Sequence, residues 1–137
     1  EAKAAQPGRI LLAEDDPVNR AAVKILLERR GHGLVCVGDG RQAVEHLAES
    51  RFDLVLMDVQ MPNMDGVAAT RRIREGGSLQ PDIPVIGLTA YALAEERDEF
   101  LRAGMDEILA KPVDLDQLTR LVERRLTRQS KTSAQKA

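Results

Sequence analysis

The sequence predicts an α/β fold in which helices cover both faces of a parallel five-stranded sheet. Five short apolar runs contain few polar positions, as is usual for strands that are buried on both sides. The segments between these runs carry helix start and stop signals, so strand and helix alternate five times along the chain. This alternation indicates right-handed βαβ units, and 137 residues suffice for one such domain but not for two.

Local patterns define the individual elements. The first helix is predicted to begin at Pro17 behind an Asp16 N-cap, and Asp39 and Asp114 are predicted to cap the second and fifth helices. Apolar spacing predicts buried faces on the first, second and last helices, namely Val18, Ala22, Ile25 and Leu26; Ala43, Val44, Leu47 and Ala48; and Leu115, Leu118, Leu121 and Val122. The predicted strands are 9–13, 34–37, 53–57, 84–88 and 107–110, and the third and fourth helices are 65–74 and 94–103.

Composition narrows the classes of function. Hydrophobic residues make up 43% of the chain and charged residues 31%, which is the balance of a soluble globular protein. The formal net charge of -2 lacks the basic excess of a typical DNA-binding domain. No apolar run approaches the roughly 20 residues that span a bilayer, and the first residues lack the apolar core of a signal peptide. We therefore expect this domain to bind neither nucleic acid nor membrane. The single cysteine, Cys36, excludes an internal disulfide and is expected to be a small buried residue of the second strand.

The two ends of the chain have a different composition from its centre. Residues 1–8 and 129–137 are polar, small and unpatterned, so we interpret them as a linker and a flexible tail around a domain of residues 9–128. The chain also lacks an initiator Met, which indicates a fragment or a processed product. Inside the domain, His32 and His46 are the two histidines that could in principle be phosphorylated. However, His46 lacks the four-helix setting of a phosphotransfer domain, and a solvated surface role is the better interpretation of both.

Acidic residues follow two of the predicted strands, at the edge where open α/β sheets bind ligands. Glu14, Asp15 and Asp16 come after the first strand, and Asp58 comes after the third. At about 5 Å and an effective dielectric near 20, each pair of like charges costs roughly 3 kcal/mol. A divalent cation and a nearby ammonium group would offset this repulsion, and Mg²⁺ suits carboxylate, carbonyl and water ligands. Asp16, directly before Pro17, is the exception, because we interpret it as a helix cap.

The fourth and fifth predicted strands end in a hydroxyl and an ammonium group, at Thr89 and Lys111. A carboxylate beside Mg²⁺, with these two groups facing the same pocket, is suited to phosphoryl transfer onto the carboxylate itself. Asp58 would attack in line, Mg²⁺ and Lys111 would neutralise charge on the transferring oxygens, and Thr89 would donate a hydrogen bond to one of them. Any one of these acids alone is more simply explained as a cap or a strand end. The whole set on four strand ends favours a site.

Four sequence runs, ILLAEDDPVNR, DLVLMDVQMPNMDG, PVIGLTA and AKPV, closely resemble the motifs of bacterial response-regulator receiver domains. The resemblance covers roughly residues 9–126 and is strongest to receivers attached to hybrid sensor histidine kinases. It implies a flavodoxin-like three-layer sandwich with strand order 2-1-3-4-5. It also implies a phosphoryl group received from a histidine kinase or a histidine phosphotransfer domain, and a cytoplasmic location.

The same resemblance assigns roles to particular residues. Asp58 matches the phosphoacceptor, Thr89 the switch hydroxyl and Lys111 the invariant lysine, with a cis peptide bond before the following proline. The implied protein ligands of Mg²⁺ are Glu14, Asp15, Asp58 and the backbone carbonyl of Gln60.

Two positions bear on how such a domain would switch. Three residues before the lysine, the family often has an aromatic side chain that turns inward on activation, whereas this chain has Ile108. Tyr91 lies two residues after Thr89, where side chains modulate dephosphorylation in the family. A simple packing role for Tyr91 is equally compatible with the sequence.

Other functions are less compatible with these residues. A phosphohydrolase of the haloacid dehalogenase type needs a second acid two residues after its nucleophile, and that position is Gln60. A pseudo-receiver would be expected to lack part of the set of acids, threonine and lysine. A flavodoxin-like cofactor carrier needs a first loop that cradles phosphate, and the acidic EDDPVN repels it. We therefore expect a signalling receiver that catalyses only its own phosphorylation and dephosphorylation. It would be excised from a hybrid sensor kinase or, alternatively, be a stand-alone response regulator.

Overall fold

A parallel sheet forms the centre of the molecule. The computed structural model describes residues 3–90 and 93–136, with side chains up to residue 128. Within these residues the sheet has five strands, and their order, numbered along the chain, is 2-1-3-4-5, which confirms the topology that the resemblance implied. Every pair of neighbouring strands is parallel. The strands are β1 Arg9–Ala13, β2 Gly33–Val37, β3 Leu54–Asp58, β4 Val85–Thr89 and β5 Glu107–Ala110.

Four of the five α-helices that follow the strands begin behind aspartate caps. Asp16 accepts from the Val18 N–H, and Asp39, Asp65 and Asp114 accept from backbone N–H groups in the first turns of their own helices. At the start of α2 the Gln42 side chain accepts from the Gly38 N–H. The helices are α1 Pro17–Arg29, α2 Gly40–Glu49, α3 Gly66–Arg72, α4 Ala94–Ala103 and α5 Leu115–Lys136, and a π-helical turn, Ile73–Gly77, follows α3.

Two strands end one residue later than the sequence pattern predicts. In β3 the pairing extends to Asp58, opposite Leu88, and in β4 it extends to Thr89, opposite Ala110. The strands thus include two polar residues that the apolar pattern had not assigned to them. Both candidate site residues are consequently held by strand hydrogen bonds rather than by a loop.

Side chains that alternate along the strands form two cores, one on each face of the sheet. One core packs against α2, α3 and α4, and the other packs against α1 and α5. The predicted face is wrong for α1, where Val18 is 76% exposed and Ile25 is 51% exposed, whereas Val23 and Leu27 are buried. This helix carries apolar residues on two sides, and contact with the sheet selects the side that the spacing did not. The predicted faces of α2 and α5 are buried except at their edges, where Ala48 and Leu115 are exposed.

Parts of the segments before and after the predicted domain have defined backbone structure. The Ala4 N–H donates to the Arg30 carbonyl at 2.7 Å, and the Gly8 N–H donates to His32 Nδ1 at 3.1 Å. Helix α5 continues to Lys136, so the backbone over 129–136 is helical where the sequence pattern predicted a flexible tail. The reason is local, because this stretch contains neither glycine nor proline to stop the helix.

Two predictions of side-chain environment require correction. His32 is only 3% exposed, and its Nε2 atom lies 3.1 Å from Glu123 Oε2, so the predicted surface role is wrong for this histidine. His46 is exposed, as expected. Cys36 lies in β2, as predicted, but it is only half-buried because β2 is an edge strand. None of the described helices is both long and apolar enough to cross a membrane.

Candidate functional site

Three carboxylates meet at the carboxyl ends of the two central strands. Glu14 and Asp15 directly follow β1, and Asp58 is the last residue of the neighbouring strand β3. Glu14, Asp15 and Asp58 each offer one carboxylate oxygen, and these oxygens lie within 4.8 Å of one another. Glu14 is 3% exposed and Asp58 2% exposed, whereas Asp15 is open to solvent. The fold thus brings together the acids that the sequence placed at this edge.

Lys111 supplies positive charge to the same pocket. Its Nζ atom lies 2.9 Å from Asp58 Oδ2 and 3.4 Å from Glu14 Oε1. The lysine backbone N–H donates to the Thr89 carbonyl at 2.7 Å, and the peptide bond to Pro112 is cis, as the resemblance implied. Burial by itself lowers the pKa of Lys111. The hydrogen bond and charge of Asp58, together with the Glu14 carboxylate, outweigh burial and raise this pKa.

Glu14 has an unusual electrostatic environment. Burial, together with the hydrogen bond and the charge of Asp58, raises its pKa from the ordinary 4.5 to about 7. The Asp16 N–H, which donates to Glu14 Oε2 at 3.3 Å, and the charge of Lys111 only partly oppose this effect. One ammonium group therefore does not neutralise the pocket, which is short of positive charge.

Asp58 is held in place by the loop that follows it. The Gln60 N–H donates to Asp58 Oδ1 at 3.1 Å, and the Gly66 N–H donates to the Val59 carbonyl at 2.8 Å. An ideal Cβ at Gly66 would lie 2.2 Å from the Asp58 carbonyl oxygen, so a larger residue would displace the loop. The loop thus returns tightly beneath Asp58 while the Gln60 side chain remains exposed.

The remaining candidates lie close to this pocket or outside the described residues. Thr89 is fully buried at the end of β4, one residue beyond Leu88, the strand partner of Asp58. Asp16 is exposed and accepts from the Val18 N–H at 3.0 Å, which agrees with its interpretation as a cap. Tyr91 falls outside the described residues.

Ile108, which stands where the family often has an aromatic residue, faces the interior of the fold. It is 7% exposed, and an ideal Cβ at Gly87 would lie 3.2 Å from its Cδ1 atom and 2.5 Å from Met105 Sδ. The isoleucine therefore packs directly over a glycine of β4.

Sequence reasoning missed two groups of contacts around the pocket. Arg20 Nη1 donates to the Glu14 carbonyl at 3.1 Å and so supports the β1–α1 loop. Asn63 Nδ2 donates to Asp39 Oδ2 at 2.7 Å and connects the loop after Asp58 to the start of α2. Asp39 was assigned only as a cap. Its second oxygen has no signature in local spacing, because its partner is 24 residues away along the chain.

Comparison with known proteins identifies the class to which this fold and site belong. Residues 10–123 match the family described as the response regulator receiver domain, and the chain belongs to that family. It is 45% identical over 116 residues to the sensor protein GacS of Pseudomonas syringae pv. syringae, covering 83% of this chain and 13% of that protein. It is 46% identical over 107 residues to the sensor histidine kinase RcsC of Escherichia coli K12, covering 78% of this chain and 11% of that protein.

A solved structure supports the same assignment. The receiver domain of a sensor histidine kinase from Pseudomonas aeruginosa PAO1, with a magnesium ion coordinated in its active-site cleft, is 41% identical with a TM-score of 0.79. The match covers 88% of this chain and 98% of that one. The chain is accordingly a receiver domain of a two-component phosphorelay and matches the receivers of hybrid sensor kinases. It corresponds to only about an eighth of the length of the curated relatives.

Proposed function

We propose that Asp58 accepts the phosphoryl group. The observation that carries this proposal is its setting: a buried carboxylate at a strand end, 2.9 Å from an ammonium group and clustered with two further acids. A nucleophilic carboxylate needs a nearby positive charge that can also contact the incoming phosphoryl oxygens, and Lys111 is placed to supply it.

The acid cluster fits a hard divalent cation. Three carboxylates and one ammonium group leave negative charge uncompensated, and the available donors are all oxygens, which Mg²⁺ prefers. We assign Glu14, Asp15, Asp58 and the Gln60 backbone carbonyl as the ligands. When bound, Mg²⁺ would supply charge neutralisation for the transferring phosphoryl oxygens. The magnesium ion in the related receiver from Pseudomonas aeruginosa supports this assignment.

Phosphoryl transfer needs little chemistry beyond positioning. A carboxylate oxygen of Asp58 attacks phosphorus, the phosphorus–nitrogen bond of a phosphohistidine breaks, and the histidine ring leaves with the bonding electron pair and gains a proton. The Lys111 ammonium stabilises negative charge on the phosphoryl oxygens, and the Thr89 hydroxyl donates a hydrogen bond to one of them. An acyl phosphate remains on Asp58.

The partner in this scheme is a histidine kinase or a histidine phosphotransfer domain. The domain acts on no separate substrate and catalyses only its own phosphorylation and dephosphorylation. We infer that residues 9–128 form the functional unit and that it derives from a hybrid sensor kinase. We also place it in the cytoplasm, where kinases obtain phosphoryl groups from ATP.

Intact mass measurement tests the acceptor. After incubation with acetyl phosphate and Mg²⁺, the wild-type protein should gain the mass of one phosphoryl group and Asp58→Asn should gain none. Asp16→Asn is the matched control, because this exposed acid caps α1 outside the cluster and its loss should leave labelling intact. Labelling of Asp58→Asn equal to that of the wild type would place the acceptor elsewhere.

A further inference from the structure

We propose that Asp39 and Asn63 form a latch that positions the β3–α3 loop, residues 59–65, and that Asn63 is thereby a positioning residue for phosphoryl transfer. This inference rests on the proposed function, since it concerns the loop that carries the Gln60 carbonyl. The latch itself consists of residues that contact neither the acids nor Lys111 in any described hydrogen bond or ion pair.

Hydrogen bonds attach the loop to the domain at its start, at its end and between the two. At its start, the Gln60 N–H donates to Asp58 Oδ1, and at its end the Gly66 N–H donates to the Val59 carbonyl. Between these points, the loop contacts the start of α2 through the side-chain hydrogen bond from Asn63 to Asp39, at 2.7 Å, and through the Gly40 N–H, which donates to the Met64 carbonyl at 2.9 Å. Only the first of these two middle contacts depends on side chains, so it can be changed by substitution.

Both ends of the latch are themselves fixed. Asp39 is buried, and its Oδ1 atom accepts from the Gln42 N–H at 2.8 Å while Oδ2 accepts from Asn63. The hydrogen bond from the Gln42 N–H and that from Asn63 lower the pKa of Asp39, so the carboxylate remains charged and acts only as an acceptor. Asn63 has φ 66°, in the left-handed region that asparagine adopts more readily than most residues. Its backbone and its side chain are thus both suited to this turn.

Close packing makes the loop sensitive to this contact. An ideal Cβ at Gly40 would lie 2.4 Å from the Met64 carbonyl oxygen, so the loop backbone already touches the start of α2. If the latch opens, the turn at Asn63 loses its only described side-chain hydrogen bond to the start of α2, and the segment from Gln60 to Met64 gains alternative conformations. Binding of Mg²⁺ and of the phosphoryl group would then have to order this segment, which weakens both.

A charge swap tests the latch while keeping both side chains polar. Asn63→Asp retains a residue that tolerates positive φ but sets two carboxylates against each other. Adding Asp39→Asn should restore the bond in reverse, because the new amide at position 39 can still cap α2 through its oxygen and donate through its nitrogen. Asp39→Asn alone should have a mild effect, since the Asn63 amide can rotate and accept. Asn63→Gly removes the latch but not the backbone conformation.

Three measurements separate positioning from stability: amide hydrogen exchange over 59–65 without metal, Mg²⁺ affinity by calorimetry, and phosphorylation rate with acetyl phosphate. We expect Asn63→Asp and Asn63→Gly to speed exchange and to weaken Mg²⁺ binding and phosphorylation, each by about tenfold for loss of one charge-assisted hydrogen bond. The swap should recover to within about twofold. Asp82→Asn, an exposed substitution in the α3–β4 loop, controls for the loss of one negative charge in Asp39→Asn, and the swap itself leaves the net charge unchanged.

The outcomes discriminate between the proposals. Faster loop exchange with unchanged Mg²⁺ affinity, or a swap that fails to recover, would overturn the positioning role. If the wild type takes no phosphoryl group on Asp58, the proposed function fails, and the exchange and Mg²⁺ measurements still decide whether the latch positions the loop. Recovery by the swap in all three measurements supports it.

Discussion

The raised pKa of Glu14 predicts that proton release and Mg²⁺ binding are coupled. In the metal-free protein this buried carboxyl has a pKa of about 7, against an ordinary value of 4.5. Between these two values the folded protein binds more protons than the unfolded chain. The free energy of unfolding should therefore fall as the pH rises through this window, opposite to the usual behaviour of a paired carboxylate. The gap in pKa corresponds to at most about 3 kcal/mol.

Mg²⁺ should reverse this loss of stability. The proton on Glu14 must leave before the oxygen can bind metal, so apparent Mg²⁺ affinity should fall by up to about tenfold per pH unit below about 7. Calorimetry in two buffers with different ionisation enthalpies should show close to one proton released per Mg²⁺ near pH 6 and close to none near pH 8. Urea unfolding across about pH 5 to 8, with and without Mg²⁺, measures the stability change directly.

Glu14→Gln is the matched control, because it keeps the shape of the side chain and removes the titration. Its metal-free stability should not fall over the window in which the wild type loses stability. If wild type and Glu14→Gln show the same pH dependence of stability, and Mg²⁺ binding by the wild type releases no proton, burial of Glu14 does not control this pocket.

Three further predictions concern the lysine, the paired acids and the response to phosphorylation. Lys111→Ala should fold and should bind Mg²⁺ as well as or better than the wild type, because it removes competing positive charge, but it should be phosphorylated more slowly. Calorimetry measures the Mg²⁺ affinity and mass labelling measures the phosphorylation rate. Outright unfolding of this variant would indicate a structural role for the lysine instead. Asp15→Ala should abolish Mg²⁺ binding, whereas Asp16→Ala should mainly lower the free energy of unfolding by about 1 kcal/mol. Calorimetry and urea unfolding measure the two effects. The reverse pattern would mean that the roles of metal ligand and helix cap are assigned to the wrong acids. Addition of beryllofluoride, a phosphoryl mimic, should shift the amide signal of Thr89 more than that of Ile108, because a buried β-branched side chain has few alternative rotamers; equal shifts would contradict this.

The sequence alone determined the order of the elements and the edge of the sheet where the chemistry lies. Short apolar runs and aspartate caps are local signals, and a parallel sheet brings successive strand ends to one edge whatever the details of packing. For this reason the sequence predicts that Glu14, Asp15, Asp58 and Lys111 share one pocket, and the structure confirms that they meet there.

Other features depended on contacts between distant parts of the chain. Helix α1 carries apolar residues on two sides, and only docking against the sheet selects Val23 and Leu27 for burial. His32 is buried because Glu123, 91 residues later, comes to lie beside it, and Asn63 finds Asp39 across 24 residues. Periodicity and capping describe neighbours within a few positions. A polar side chain whose partner is distant in sequence has no local signature, so only the tertiary structure decides whether it faces solvent or holds two elements together.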